Sequence, residues 1–189
     1  NTEEYVYGKE PNAFLASVIA DMPQGKTLCL AEGEGRNAVF LAEQGRDVVA
    51  VDASAVGLEK ASRLANERGV KIETLVENLS DVEIEPGGWD AIVSIFAHVP
   101  PKIRRPLHKK IVQGLRPGGM LVLEAYTPEQ IGLGTGGPPV VEMTMSLDAL
   151  RDELDGLVFR HAVELHRDVV EGKFHNGKGA VVQLVAVKP

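Results

Sequence analysis

The residues in this chain with chemistry to offer cluster at one turn and one strand end. Leu28-Cys29-Leu30 runs into Ala31-Glu32-Gly33-Glu34-Gly35-Arg36-Asn37, and a second apolar run, Val48-Val49-Ala50-Val51, ends on Asp52. Small residues at Ala31, Gly33 and Gly35 allow a tight strand-to-helix turn and a close backbone approach to a ligand. The helix that opens behind them offers unpaired N–H groups to a carboxylate or phosphate. Asp52 lies seventeen positions beyond Gly35, near the spacing at which one carboxylate grips both hydroxyls of a ribose. The pattern predicts a ligand that carries a ribose.

These residues need a scaffold, and apolar periodicity supplies one. Phe14, Leu15, Val18, Ile19 and Met22 share a helical face, with Pro11 placed for the first turn and Pro23 and Gly25 at its end. Strands are expected at 27–31, 48–52, 72–76, 91–95 and 120–125, with helices at 36–44, 54–66 and 102–115 between them. Gly45 is placed to stop the second helix, and Ser54 to cap the third. Such alternation predicts an α/β fold with a doubly wound, mostly parallel sheet. The ending differs. Residues 127–140 are rich in Gly and Pro and have no period, so a mobile loop is expected, with Gly132, Gly134, Gly136 and Gly137 letting it move. Ser146 caps a short helix through Leu154. Strands at 158–170 and 180–187 then form a C-terminal hairpin with an antiparallel strand at the sheet edge.

The totals exclude several classes. At 189 residues a single domain, 1–189, is expected, and 44% apolar with 25% charged residues is ordinary for a globular protein. The net charge of −7 argues against nucleic acid as partner. The basic cluster from Lys102 to Lys110 reads as a solvated helix face. No apolar run approaches the roughly 18 residues of a membrane span, and no signal peptide is expected. One cysteine forbids an internal disulfide, and a cytoplasmic protein without a membrane partner is expected. His161 and His166 point to opposite faces of one strand, so no metal site is expected.

Gly33-x-Gly35-x-x-Ala38 also satisfies the dinucleotide fingerprint, which keeps a nicotinamide-dependent oxidoreductase open as an alternative. Against it, no Tyr-x-x-x-Lys pair follows the turn. Five ordered blocks resemble instead the class I S-adenosylmethionine-dependent methyltransferases, and within them the tellurite-resistance and thiopurine-type branch. They are the turn Cys29 to Asn37 with its Gly-Arg-Asn continuation, Asp52, Glu77-Asn78-Leu79, Trp89 to Phe96, and Leu115-Arg116-Pro117-Gly118-Gly119. Cys29 stands where that family has an acidic residue, Ala31 replaces its first glycine, and Asn78 replaces an aspartate.

The resemblance implies a Rossmann-like, seven-stranded sheet and S-adenosylmethionine as cofactor. It assigns cofactor contacts to Ala31, Glu32, Gly33, Glu34, Gly35, Arg36, Asn37, Asp52, Ala53, Ser54, Asn78, Leu79, Ser94, Ile95 and Phe96. Glu32 and Glu34 are candidates for the methionine ammonium. The sulfonium makes the methyl electrophilic, so the protein's task is to align a nucleophile and exclude water. His98, after the fourth strand, is a candidate catalytic group or else a histidine tying the loop before Pro100-Pro101. Tyr7 is a candidate lid residue, and Tyr126 and Glu124 close the fifth strand facing the same edge. The expected activity is methyl transfer to a small-molecule nucleophile (S, Se, Te or O), because the Asn/Asp-Pro-Pro-aromatic motif of DNA amino-methylation is missing after strand four. A cofactor-binding sensor or scaffold without transfer activity stays open as a second alternative.

Overall fold

A computed structural model describes residues 4–172 and 176–189. Strands β1 (Lys26–Leu30), β2 (Asp47–Asp52), β3 (Glu73–Val76), β4 (Trp89–Ile95) and β5 (Leu115–Tyr126) run parallel. Strands β6 (Val158–Val170) and β7 (Asn176–Val187) complete one seven-stranded sheet in the order β3-β2-β1-β4-β5-β7-β6. The chain winds outward from β1 in both directions, so the sheet has a switch point between β1 and β4, where doubly wound folds bind their ligands.

Helices α1 (Ala13–Val18), α2 (Arg36–Glu43), α3 (Ala55–Glu67), α4 (Pro101–Gly114) and α5 (Leu147–Glu153) cover both faces. On one side Phe14, Leu15, Ala38, Leu41 and Leu58 join Cys29, Ala50, Ala91 and Val93 in one core. On the other, Leu107, Ile111, Leu150 and Leu154 join Leu28, Leu30, Ile92, Leu121 and Leu123. Successive strand residues feed opposite cores, which is why the central strands are unbroken apolar runs. Each fully buried leucine contributes roughly 1.5–3 kcal/mol. Side-chain caps start three of these helices: Asn12 accepts from Leu15 N, Ser54 from Gly57 N and Ser146 from Ala149 N. Pro11 therefore lies just outside α1 instead of in its first turn.

Three expectations need correction. The strand that runs against the rest is β7, and it lies between β5 and β6, not at the edge. Its Ala180-Val181-Val182 and Leu184-Val185-Ala186 are buried, while β6 is largely exposed, so the apolar member of the hairpin takes the inner place. Strand β5 starts at Leu115 and not at 120, and Arg116 to Gly119 form a bulge within it. Pairing with β4 jumps from Trp89–Leu115 to Ala91–Met120, and Gly118 N and Gly119 O pair with Lys188. Finally, the loop from Thr127 is held. Gln130 Nε2 donates to Thr135 Oγ1 (3.1 Å) and Gly136 O (2.9 Å), while its Oε1 accepts from Ala180 N (2.9 Å). Gly132, Gly134, Gly136 and Gly137 all have left-handed φ, so this path needs glycine for its shape.

Candidate active site

A cleft of about 620 Å³ opens at the carboxyl ends of β1, β2 and β4. It brings together Tyr7, Ala31, Glu32, Gly33, Glu34, Arg36, Asn37, Asp52, Ser54, Ile95, Phe96 and His98. A Cβ built on Gly33 meets nothing within 4 Å, so this glycine faces open space. Gly35 has a different task. At φ +94° its Cβ would stand 2.5 Å from Ala61 of α3, so it lets two helices touch and does not line the cleft. The two non-glycine residues with left-handed φ among the described residues, Ala31 (52°) and Phe96 (54°), both line the cleft, at the ends of adjacent strands. Such backbone strain concentrates where surrounding structure and function fix it.

Asp52 is aimed by the backbone. Its Oδ2 accepts from Gly33 N (2.9 Å) and its Oδ1 from Ser54 N (2.8 Å). Each oxygen retains a lone pair for a further donor. Glu32 Oε1 accepts from Asn37 N (2.9 Å) and Ala38 N (2.8 Å), capping α2 from the turn. Burial, reinforced by the Asp52 charge, pushes the Glu32 carboxyl up to about 7 despite those two amides and Arg36. Cys29 is buried beside it, and burial followed by the Glu32 charge holds its thiol well above the usual range, so it stays protonated.

Glu34 is tied elsewhere. It pairs with Lys60 Nζ of α3 at 2.5 Å and accepts from Tyr7 N at 3.3 Å. Lys60 also donates to Glu4 O, and Tyr5 Oη donates to Lys60 O, so the segment from Glu4 to Tyr7 is strapped to α3 while Val6 and Tyr7 form one cleft wall. Arg36 pairs through Nη2 with Glu171 (2.6 Å), and its buried Nη1 has no hydrogen-bond partner among the described residues. Behind it lies a buried network. Arg167 joins Glu124 and Glu171, Asn12 donates to both carboxylates, and Gln183 donates to Glu124. Against the effect of burial, Arg36 and Arg167 hold Glu171 below its ordinary value.

His98, expected as a candidate base, has both ring nitrogens engaged. Nδ1 lies 2.9 Å from Met143 O and Nε2 accepts from Tyr126 N at 3.2 Å. Nδ1 therefore carries the proton, and burial pulls the ring down to about 4. In this arrangement His98 positions the wall: its ring stacks on Tyr126, which stacks on Phe96 at 4.7 Å. Tyr126 is buried behind Phe96 and does not line the cleft. Burial, then the Glu171 charge, pushes its phenol up to about 12.

Other expected residues also lie apart. Ala53 and Ser94 are outside the lining, and Asn78 is exposed, its carbonyl accepting from Asp81 N and Val82 N. Leu79 borders a separate small pocket against α4. His175, whose stretch Phe174-His175-Asn176-Gly177 reads from the sequence as a solvent-exposed turn, falls outside the described residues. Val6, Val56, Gly57, Lys60, Ala97 and Val99 line the cleft without having been anticipated. Lys60 had a signal: it sits between Gly57 and Leu64 on the buried face of α3. Among the described residues no group of three potential ligands could hold a metal, and no helix is long and apolar enough to cross a membrane.

Residues 28–119 match the family model described as "Methyltransferase domain". A carboxy-S-adenosyl-L-methionine synthase of Citrifermentans bemidjiense is 34% identical over 80 residues, covering 41% of this chain and 33% of that one. A 2-heptyl-1-hydroxyquinolin-4(1H)-one methyltransferase of Mycobacteroides abscessus is 28% identical over 122 residues, covering 62% and 54%. The chain thus spans between about a third and a half of these curated relatives. TehB of Haemophilus influenzae superposes with TM-score 0.75 at 18% identity, over 93% of this chain and 61% of that one. An S-adenosylmethionine-dependent methyltransferase of Methanosarcina mazei does so with TM-score 0.70 at 19% identity, over 90% and 96%. Residues 28–119 thus resemble a methyltransferase domain, and the chain as a whole shares the fold of these two solved proteins.

Proposed function

We propose that the protein binds S-adenosylmethionine in this cleft and transfers its methyl group to a small-molecule nucleophile. The observation that carries the reading is Asp52, whose two oxygens are oriented by Gly33 N and Ser54 N beside an open glycine turn. The residues fit the cofactor. Asp52 has acceptor capacity for two ribose hydroxyls, Gly33 leaves space for close approach, and Arg36 Nη1 is a buried donor suited to a carboxylate. When bound, the cofactor supplies a methyl group on a positively charged sulfur, ready for in-line attack.

The chain's own part is orientation and exclusion of water. Phe96, backed by Tyr126 and His98, is a rigid aromatic wall beside the place where an acceptor would stand. Tyr7 faces the same cleft from the strap. A neutral His98 with both nitrogens engaged leaves deprotonation to the acceptor itself, which favours sulfur, selenium or tellurium nucleophiles and acidic hydroxyls. The Gly35-Arg36-Asn37 continuation supports the tellurite-resistance and thiopurine-type branch. The relative acting on a hydroxyquinolone supports an oxygen acceptor equally well.

Calorimetry tests the cofactor: S-adenosylhomocysteine should bind and NAD should not. A panel of thiols, selenite, tellurite, phenols and amines then tests transfer. Methylation of at least one supports catalysis; tight cofactor binding with no product favours a sensor.

A further inference from the structure

The stretch from Gln130 to Val141 is twelve residues without one charged side chain, in a chain whose residues are 25% charged. It leaves the carboxyl end of β5, at the edge of the sheet where the cleft opens, and most of it is exposed. Ile131, Leu133, Val140 and Val141 present aliphatic side chains between 41% and 47% exposed. Surface loops are ordinarily polar, and exposed apolar side chains gathered on one of them mark a binding surface.

Fastenings hold this loop in shape before any ligand arrives. Near its start Gln130 bonds Gly136 O and Ala180 N, and Thr135 Oγ1 donates to Lys178 O at 2.6 Å. Beyond its end Arg104, itself bonded to Glu153, donates to Thr144 O at 2.9 Å. Two contacts join the loop to the aromatic wall of the cleft. A Cβ on Gly137 would stand 3.3 Å from the Tyr126 ring, and Met143 O accepts from His98 Nδ1. The exposed aliphatic residues lie on either side of Gly137 in the chain, so an apolar ledge continues outward from Phe96, Tyr126 and His98. A preformed apolar surface takes up a hydrocarbon at little ordering cost.

We infer that this ledge holds the hydrocarbon portion of the methyl acceptor, an uncharged lipophilic molecule whose nucleophile reaches the cleft beside Phe96. The inference deepens the methyl-transfer reading above and rests on it. Within that reading it favours lipophilic thiols and phenols over inorganic oxyanions. Charge decides between a free molecule and a lipid surface. The loop has no Lys or Arg to meet anionic headgroups, its flanking charges are Glu129 and Glu142, and the chain carries a net charge of −7.

The test titrates phenol, 4-ethylphenol, 4-butylphenol and 4-hexylphenol by calorimetry into the protein saturated with S-adenosylhomocysteine. Affinity should rise about two- to fourfold for each added methylene. In the double variant Leu133→Ser with Val141→Ser the gain should fall below about 1.5-fold per methylene, with a melting temperature within about 2 °C of the wild type because both positions are exposed. Ile131→Ser with Val140→Ser makes the same comparison from the other two positions. A gain per methylene that both double variants retain, or no saturable binding of 4-hexylphenol, overturns the inference. So does a dimer that either variant disperses in sedimentation, or cosedimentation with phosphatidylcholine vesicles, since each assigns the ledge another occupant. A wild type that does not bind S-adenosylhomocysteine overturns the methyl-transfer reading, and this inference with it.

Discussion

Asp52 Oδ2 accepts from the amide of Gly33 at 2.9 Å, joining the ends of two neighbouring parallel strands before any ligand arrives. On the proposed reading this carboxylate is preorganised for the ribose, and its loss is measurable. Asp52→Ala should weaken S-adenosylhomocysteine by about 1.5–3 kcal/mol, roughly ten- to a hundredfold, in a calorimetric titration. Unchanged affinity would mean that the ribose lies elsewhere.

His98 links the end of β5 to the carbonyl of Met143. His98→Ala leaves two backbone groups without partners, at about 1–3 kcal/mol for each that water does not reach. A fall in melting temperature of roughly 4 °C or more is expected for a chain of this size. Because the ring is already neutral above about pH 4, the rate profile between pH 5 and 8 should keep its shape in His98→Gln. A lost inflection near pH 6.5 would restore His98 as a base.

Gly35 cannot carry a side chain. Gly35→Ala combines left-handed φ with a Cβ 2.5 Å from Ala61, so α2 and α3 must separate. A loss of about 3 kcal/mol or more is expected in urea unfolding, and a loss below 1 kcal/mol would contradict this packing.

Lys60 and Glu34 form a buried pair. Lys60→Met strands a buried carboxylate and should cost about 3–5 kcal/mol, whereas Lys60→Met with Glu34→Gln removes both charges and should recover much of that. Additive losses in the double variant would show that the pair is not coupled.

Burial works against ionised Glu153, but His108 Nδ1 at 2.8 Å and the hydrogen bonds from Arg104 outweigh it and bring the carboxyl down to about 2. A depressed folded value means that this stability is fully present above about pH 4.5 and is lost as pH falls towards 2. Glu153→Gln should flatten that acid limb in thermal melts; an unchanged limb would assign it to other carboxylates.

Much of this could be read from the chain because local signals agreed. Buried apolar runs marked β1, β2 and β4, Ser54 and Ser146 marked helix starts, and the span of β6 follows from its alternation. The inner place of β7 was hidden, since it depends on which hairpin strand meets β5. So was the network of Asn12, Glu124, Arg167 and Glu171, whose bonds join residues as many as 159 positions apart. Asn78 and Leu79 follow the end of β3 at Val76 as expected, and it is their side-chain surroundings, exposed for Asn78 and against α4 for Leu79, that the spacing does not show.

The strap from Glu4 to Tyr7 carries a kinetic consequence. It is fastened at Lys60 and Glu34, and it passes so close to Gly172 that a Cβ there would stand 2.4 Å from the Val6 carbonyl. Where passage of a cofactor requires these ties to loosen, they set the speed of exchange more than the depth of the well. Residence time would then be the quantity that Lys60, Glu34 and Gly172 govern.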